Sequence, residues 1–175
     1  NEGFLTDVMS LVTELSEEGL IAKVAGSVGA IPKKSWDGLA GPDNPFISYD
    51  FLTALEESGS VGSGTGWQST PIIIENEAGE ILAAMPAFLK GHSQGEYVFD
   101  QQWAEALEQA GGRYYPKQLT AVPFTPSDGP RLVTSSQLTS PAARRALLEW
   151  LWPHLKAGIA PAAEPGSALR RYEPR

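Results

Sequence analysis

Between residues 96 and 131 the chain gathers groups able to move protons or hold charge: Glu96, Tyr97, Asp100, Tyr114, Tyr115, Lys117, Thr125, Asp128 and Arg131. A carboxylate such as Glu96 or Asp100 acts as a general base when burial raises its pKa. Asp100 directly precedes a helix-forming run, so an N-cap is its commoner role. Tyr114 or Tyr115 can protonate a leaving group, although a core tyrosine with a solvated hydroxyl is the more frequent case. Arg131 suits a phosphate or carboxylate, or else a surface ion pair. His92 sits beside Ser93 with no third partner in the sequence and reads as a loop residue.

Composition narrows the chemistry further. The 175 residues contain no cysteine, which removes disulfides, thiolate-held zinc, iron–sulfur clusters and a thiol nucleophile. The two histidines, His92 and His154, lack ligand spacing, so no metal site is expected. A net charge of -8 disfavours nucleic-acid binding. No apolar run approaches the roughly 20 residues of a membrane span. There is no Walker-type loop, no dinucleotide fingerprint and no nucleophile elbow. "GSVGSGTG" (59–66) is dense in glycine, but no lysine-bearing helix follows it, so a flexible surface linker is the simpler reading. The reading places the protein in the cytoplasm or, since the chain starts at Asn1 and a targeting segment could have been removed, in an organelle interior.

The elements that must position these groups follow from periodicity. Residues 1–19 hold an amphipathic, acidic helix, with Phe4, Val8, Leu11, Val12 and Leu15 on one face. A main domain spans 20–156. It opens with a strand in 20–27 and a helix after Pro32 that ends at Gly41. A second helix is capped by Asn44, begins at Pro45 and stops at Gly59. A hairpin follows, with Ile72–Ile74 paired to a long strand over Ile81–Leu89, where Pro86 demands an edge or a bulge. A brief strand leads to a helix with Trp103, Ala104 and Leu107 on its apolar face. Next come a strand over 118–123 and a helix over 140–156 that turns Leu147, Leu148, Leu151, Trp152 and Leu155 inward. Residues 157–175 read as an extended tail with Arg170, Arg171 and Arg175. Segments 3–17 and 157–175 are candidate contacts for partner proteins. The order predicts an α/β (α+β) domain with a mixed, mostly antiparallel sheet and flanking helices.

Three blocks carry a likeness to a known family: "WDGLAGPDNPFISYDFLTALEESGSVGSGTGWQ" (36–68), "GEYVFDQQWAEAL" (95–107) and "RYYPKQLTAVPFTPSDGPRL" (113–132). Together they resemble the FemAB-like predicted N-acyltransferases, once labelled peptidoglycan biosynthesis/recognition proteins, of the GNAT superfamily. The resemblance spans residues 22–155. It implies a GNAT-like mixed sheet, here an incomplete single half of a two-GNAT family fold. It also implies transfer of an acyl or aminoacyl group to an amine, with an acyl-CoA or aminoacyl donor bound where two central strands part. Glu96 is then the expected base, and Tyr114 or Tyr115 the expected acid. Thr125, Gly129 and Arg131 are expected beside the donor. The alternative is a GNAT-like domain without activity that serves as a structural or linker subunit of a larger assembly.

Overall fold

The computed structural model describes residues 20–94, 100–138, 144–149, 151–152 and 170–171. The amphipathic segment 1–19, the brief strand expected at 95–99 and most of the tail lie outside the described residues. Strand β1 (Ile21–Val24) leads to helix α1 (Lys33–Ala40). Pro32 takes the N-cap position and Gly41, at φ 68°, ends the helix. The second helix is split. Asn44 caps only a 3-10 turn, Pro45–Ile47, by accepting from the Phe46 N–H. Ser48 then caps α2 (Tyr49–Glu57), its hydroxyl accepting from the Phe51 N–H at 3.3 Å. A second good cap four residues after the first makes the chain restart.

Strands β2 (Trp67–Ser69), β3 (Ile72–Glu75), β4 (Ile81–Met85) and β5 (Phe88–Lys90) form one bent antiparallel hairpin. Trp67 and Ser69 face Lys90 and Phe88, while Ile72 and Ile74 face Met85 and Ala83. The two pairings share one register, bridged by a 2.8 Å bond from the Thr70 N–H to the Ala87 carbonyl. In that register Pro71 stands opposite Pro86. The Pro71 carbonyl accepts from the Ala25 N–H at 2.9 Å, on the β1 side. The missing donor of Pro86 therefore faces the outer side of its strand, where a neighbouring strand would need it.

The neighbouring strand duly breaks. Strand β6 (Lys117–Leu119) pairs with β5, and β7 (Val133–Thr134) pairs with β4. Were they continuous beyond Leu119 opposite Phe88, Ala84 would face Pro123; it faces Val133, ten residues later. The long strand expected over Ile81–Leu89 is thus divided at Pro86, and the strand expected over 118–123 is short because its chain leaves the sheet. The bulge sits elsewhere, between Ile74 and Glu75. The result is a five-stranded sheet, β7-β4-β3-β1-β8, beside a three-stranded one, β2-β5-β6. Strand β8 (Arg170–Arg171) runs parallel to β1, so the tail expected to be irregular adds an edge strand.

Alternation along the strands builds a core on each face of the larger sheet. Ile72, Ile74, Ala83 and Met85 meet Ala146, Leu147 and Leu151 of the last helix, α3 having preceded it at Gln101–Gln109. Ile73 and Ala84 meet Trp36, Leu52, Val28 and Ile31 on the opposite face. Trp36 is fully buried, and its indole N–H donates to the Ile47 carbonyl at 2.8 Å, which ties the 3-10 turn to α1. These helices and antiparallel sheets make an α/β fold. Two sequence expectations fail on the helices. Leu148 and Trp152 are exposed while Leu147 and Leu151 are buried, and Trp103 on α3 is 75% exposed with Leu107 also outward. The last helix therefore covers its sheet with a narrower stripe than its apolar content suggests.

That geometry gives opposite outcomes for adjacent leucines. Leu147→Ala is expected to cost about 3 kcal/mol through the buried cavity it leaves, and Leu148→Ala about 0.5 kcal/mol or less. Urea unfolding of the two variants checks this; equal losses would mean the helix is turned differently.

Candidate functional site

The candidate site lies at the open end of β5 and β6. Alternation on β5 turns Phe88 and Lys90 inward and Leu89 outward. Lys90 and Lys117 are register partners, so two ammonium groups stand on adjacent strands. Like charges so placed repel unless each finds its own acceptors. The Lys90 ammonium donates to the His92 carbonyl at 2.9 Å and to Ser93 Oγ at 3.0 Å, and lies 4.8 Å from the centre of the Trp67 ring. The Lys117 ammonium donates to Asp100 Oδ2 and, at 3.2 Å, to the Tyr114 hydroxyl.

Asp100 is the hub. It occupies the N-cap position of α3, but its side chain makes no capping bond. The carboxylate instead accepts from Lys117, from Tyr115 Oη at 2.6 Å on Oδ1, and from Tyr114 Oη at 3.3 Å on Oδ2. The Tyr115 hydroxyl is shared, since Ser93 Oγ lies 2.7 Å from it. Tyr114 and Tyr115 meet edge to face, with ring centres 5.0 Å apart, and the Tyr115–Pro116 peptide is cis. Lys90, Ser93, Tyr115, Asp100, Lys117 and Tyr114 thus form one continuous chain of polar contacts.

Burial pushes the Asp100 carboxyl up, but hydrogen bonds from Lys117, Ser93 and Tyr115, with the charge of Lys117, outweigh it and hold the group well below the usual carboxylate range. Burial raises Tyr115, and its bond to the Asp100 carboxylate raises it further. Burial lowers Lys117, yet its bonds to Asp100 and Tyr114 carry it above an ordinary lysine. At neutral pH the site therefore holds a carboxylate that is a poor base, a phenol that keeps its proton, and an ammonium ion. Such a set positions and donates; it does not abstract protons.

The structure brings together Tyr114, Tyr115, Asp100 and Lys117 from the sequence candidates. Glu96 and Tyr97 lie outside the described residues. Thr125, Asp128, Gly129 and Arg131 sit on the loop that leaves the sheet opposite Pro86. Arg131 turns back on that loop, donating to the carbonyls of Ser127, Gly129 and Pro130. Gly129 has φ 125°, and a Cβ there would meet Asn44 Nδ2 at 2.5 Å. Sequence reasoning missed Lys90, Ser93 and Trp67. The available signal was a lysine at the inward position of an alternating strand. The glycine-dense loop 59–66 is also not a loose linker. Val61 is buried, and Gly66 lies against His92 and accepts from the Gly91 N–H at 2.9 Å. Among the described residues no cluster of His, Asp or Glu could hold a metal ion, and no helix is long and apolar enough to cross a membrane.

Comparison with known proteins gives one finding. A family model, FemAB-like, described as peptidoglycan biosynthesis/recognition, matches residues 27–158. The matched span covers the candidate site and the loop beside it. No curated protein and no solved structure matches significantly.

The low position of Asp100 predicts a pH signature. Its folded pKa lies below the unfolded value near 3.8, so its stabilisation is fully present above that pH and lost as pH falls through the folded value. Asp100→Asn should cost about 2 kcal/mol near pH 7. The gap from wild type should close steadily below about pH 4 in urea unfolding. A gap unchanged by acid would mean that the ion pair contributes nothing.

Proposed function

Because the chain belongs to the FemAB-like family, we propose that it transfers an acyl or aminoacyl group to an amine, with the Asp100-centred cluster as its proton-donating half. The observation that carries this reading is a phenol held protonated on the Asp100 carboxylate beside a fixed ammonium ion. In the proposed reaction the amine nitrogen attacks the acyl carbonyl carbon. The amine proton passes to a base, for which Glu96 is the candidate. The bond to the leaving group breaks, and the leaving group takes the proton of Tyr115. Tyr114 is the alternative donor.

Asp100 holds both tyrosines and Lys117 in register, which favours a positioning role for it. Lys117 supplies positive charge where negative charge develops on the acyl oxygen or the leaving group. The donor, an acyl-CoA or aminoacyl carrier, would enter beside Thr125, Gly129 and Arg131, on the loop that parts β6 from β7. A GNAT-like descent is part of the same proposal, with the break at Pro86 in the place of the strand parting.

A second reading, a structural or linker subunit, has one observation in its favour: Trp103 and Leu107 stand outward together on α3. The proposal is tested by incubating the chain with acyl-CoA and aminoacyl-tRNA donors and primary-amine acceptors, and reading the product by mass spectrometry. Tyr115→Phe is expected to lower kcat about 100-fold with little change in KM. Turnover that survives in both Tyr115→Phe and Tyr114→Phe would sink the assignment. No transfer with any donor, together with recovery of the chain only in a hetero-complex, would favour the subunit.

A further inference from the structure

The loop at 120–132 concentrates unmet demands. Phe124 is the one non-glycine residue with positive φ among the described residues, at 57°. A bulky side chain is strained in that region. The strain secures little burial for the ring, which is 50% exposed. What Phe124 does touch is Trp67, at 5.5 Å between ring centres with a 54° tilt.

Trp67 is 3% exposed, and among the described residues no acceptor meets its indole N–H. A buried donor left unmet is costly and calls for an explanation. In the loop, the Ser127 hydroxyl is likewise buried without a partner. Three groups make ring or cation contacts with Trp67: Phe88, Lys90 and Phe124. Phe88 is 2% exposed and Lys90 1%, whereas Phe124 is 50% exposed, so of these three contacts it is the one on the solvent side.

We propose that Phe124 is a displaceable plug over a binding subsite floored by Trp67. The subsite takes a neutral, flat apolar group that carries a hydrogen-bond acceptor, of the kind found in an N-acyl aromatic amide. The ligand's ring replaces Phe124 against Trp67, and its carbonyl accepts from the indole N–H. Strain and an unmet donor both favour opening, because both are relieved in the bound state. The loop is anchored by the buried Val122, while Phe124 and residues 128–130 are exposed. Arg131 binds three of the loop's carbonyls, and a long 3.5 Å bond from Asn44 Nδ2 to the Asp128 carbonyl ties it to the body. This inference concerns binding and is independent of any transfer reaction.

The test is a titration of the full chain with N-acetylphenylalanine amide, followed by 15N–1H spectra of the five tryptophan indoles. Trp67→Phe assigns the Trp67 signal. That signal is expected to move downfield as it gains an acceptor, while the other four hold still and report that the fold is intact. Phe124→Gly removes the plug at a backbone angle that glycine accepts, and should tighten binding about tenfold. Trp67→Phe should abolish binding. A Trp67 signal that ignores the amide at millimolar concentration in both wild type and Phe124→Gly overturns the proposal. So does Phe124→Gly binding no more tightly than wild type.

Discussion

Two prolines facing each other across one hairpin, Pro71 and Pro86, set the terms for the rest of the molecule. Neither has an N–H. Pro71 presents the carbonyl it does have to Ala25, and so remains inside the larger sheet. Pro86 presents a side that cannot donate, and among the described residues no strand is paired there. Everything to one side of that point belongs to the sheet gripped between helices. Everything to the other belongs to a small sheet whose open end carries lysines, tyrosines and an aspartate. The excursion of residues 120–132 is the chain's way past the gap. A hairpin with ordinary donors at these positions would support a single continuous third strand, and the loop would have no reason to form.

The polar cluster shows how charge can be buried at moderate cost. Two lysines opposite one another on adjacent strands would be destabilising alone. One is satisfied by a carbonyl, a hydroxyl and an aromatic face. The other is satisfied by Asp100, which is itself fixed by two phenols. The arrangement gives up the basicity of Asp100 in exchange for order. Proton abstraction must then come from another group, while the tyrosines remain as donors. The division of labour between an acid side and a base side follows from the direction of these shifts rather than from residue type alone.

Much of the fold was legible, because periodicity and punctuation are local. The order of helices and strands, the stops at Gly41 and Gly59 and the antiparallel character all follow from the residues in place. What failed was what depends on partners distant in sequence. Asp100 looks like a cap from its neighbours, and only Lys117 and Tyr115, brought round by β6, draw its carboxylate away. Leu148 and Trp152 look like core until the sheet's width is known. Ser48 outcompetes Asn44 as the start of α2 by a margin too small to read from composition. Of the candidate site, Tyr114 and Tyr115 were legible as an aromatic pair. Lys90, Ser93 and Trp67 were not, since their significance is a shared location rather than a motif.

Strand β8 closes the larger sheet from the far side. Lys23 and Arg170 are register partners, so nearly all of the described chain lies between two residues that must meet. The entropy of closing so long a loop grows only slowly with its length, but contacts of this separation form late and slow the search for the native state. Until they form, β1 presents an open edge with unpaired backbone groups, the kind of surface that recruits foreign strands. During synthesis on the ribosome that edge stays uncovered until residue 171 has cleared the exit tunnel. Among the described strands, the one that covers this edge is thus the last to be made.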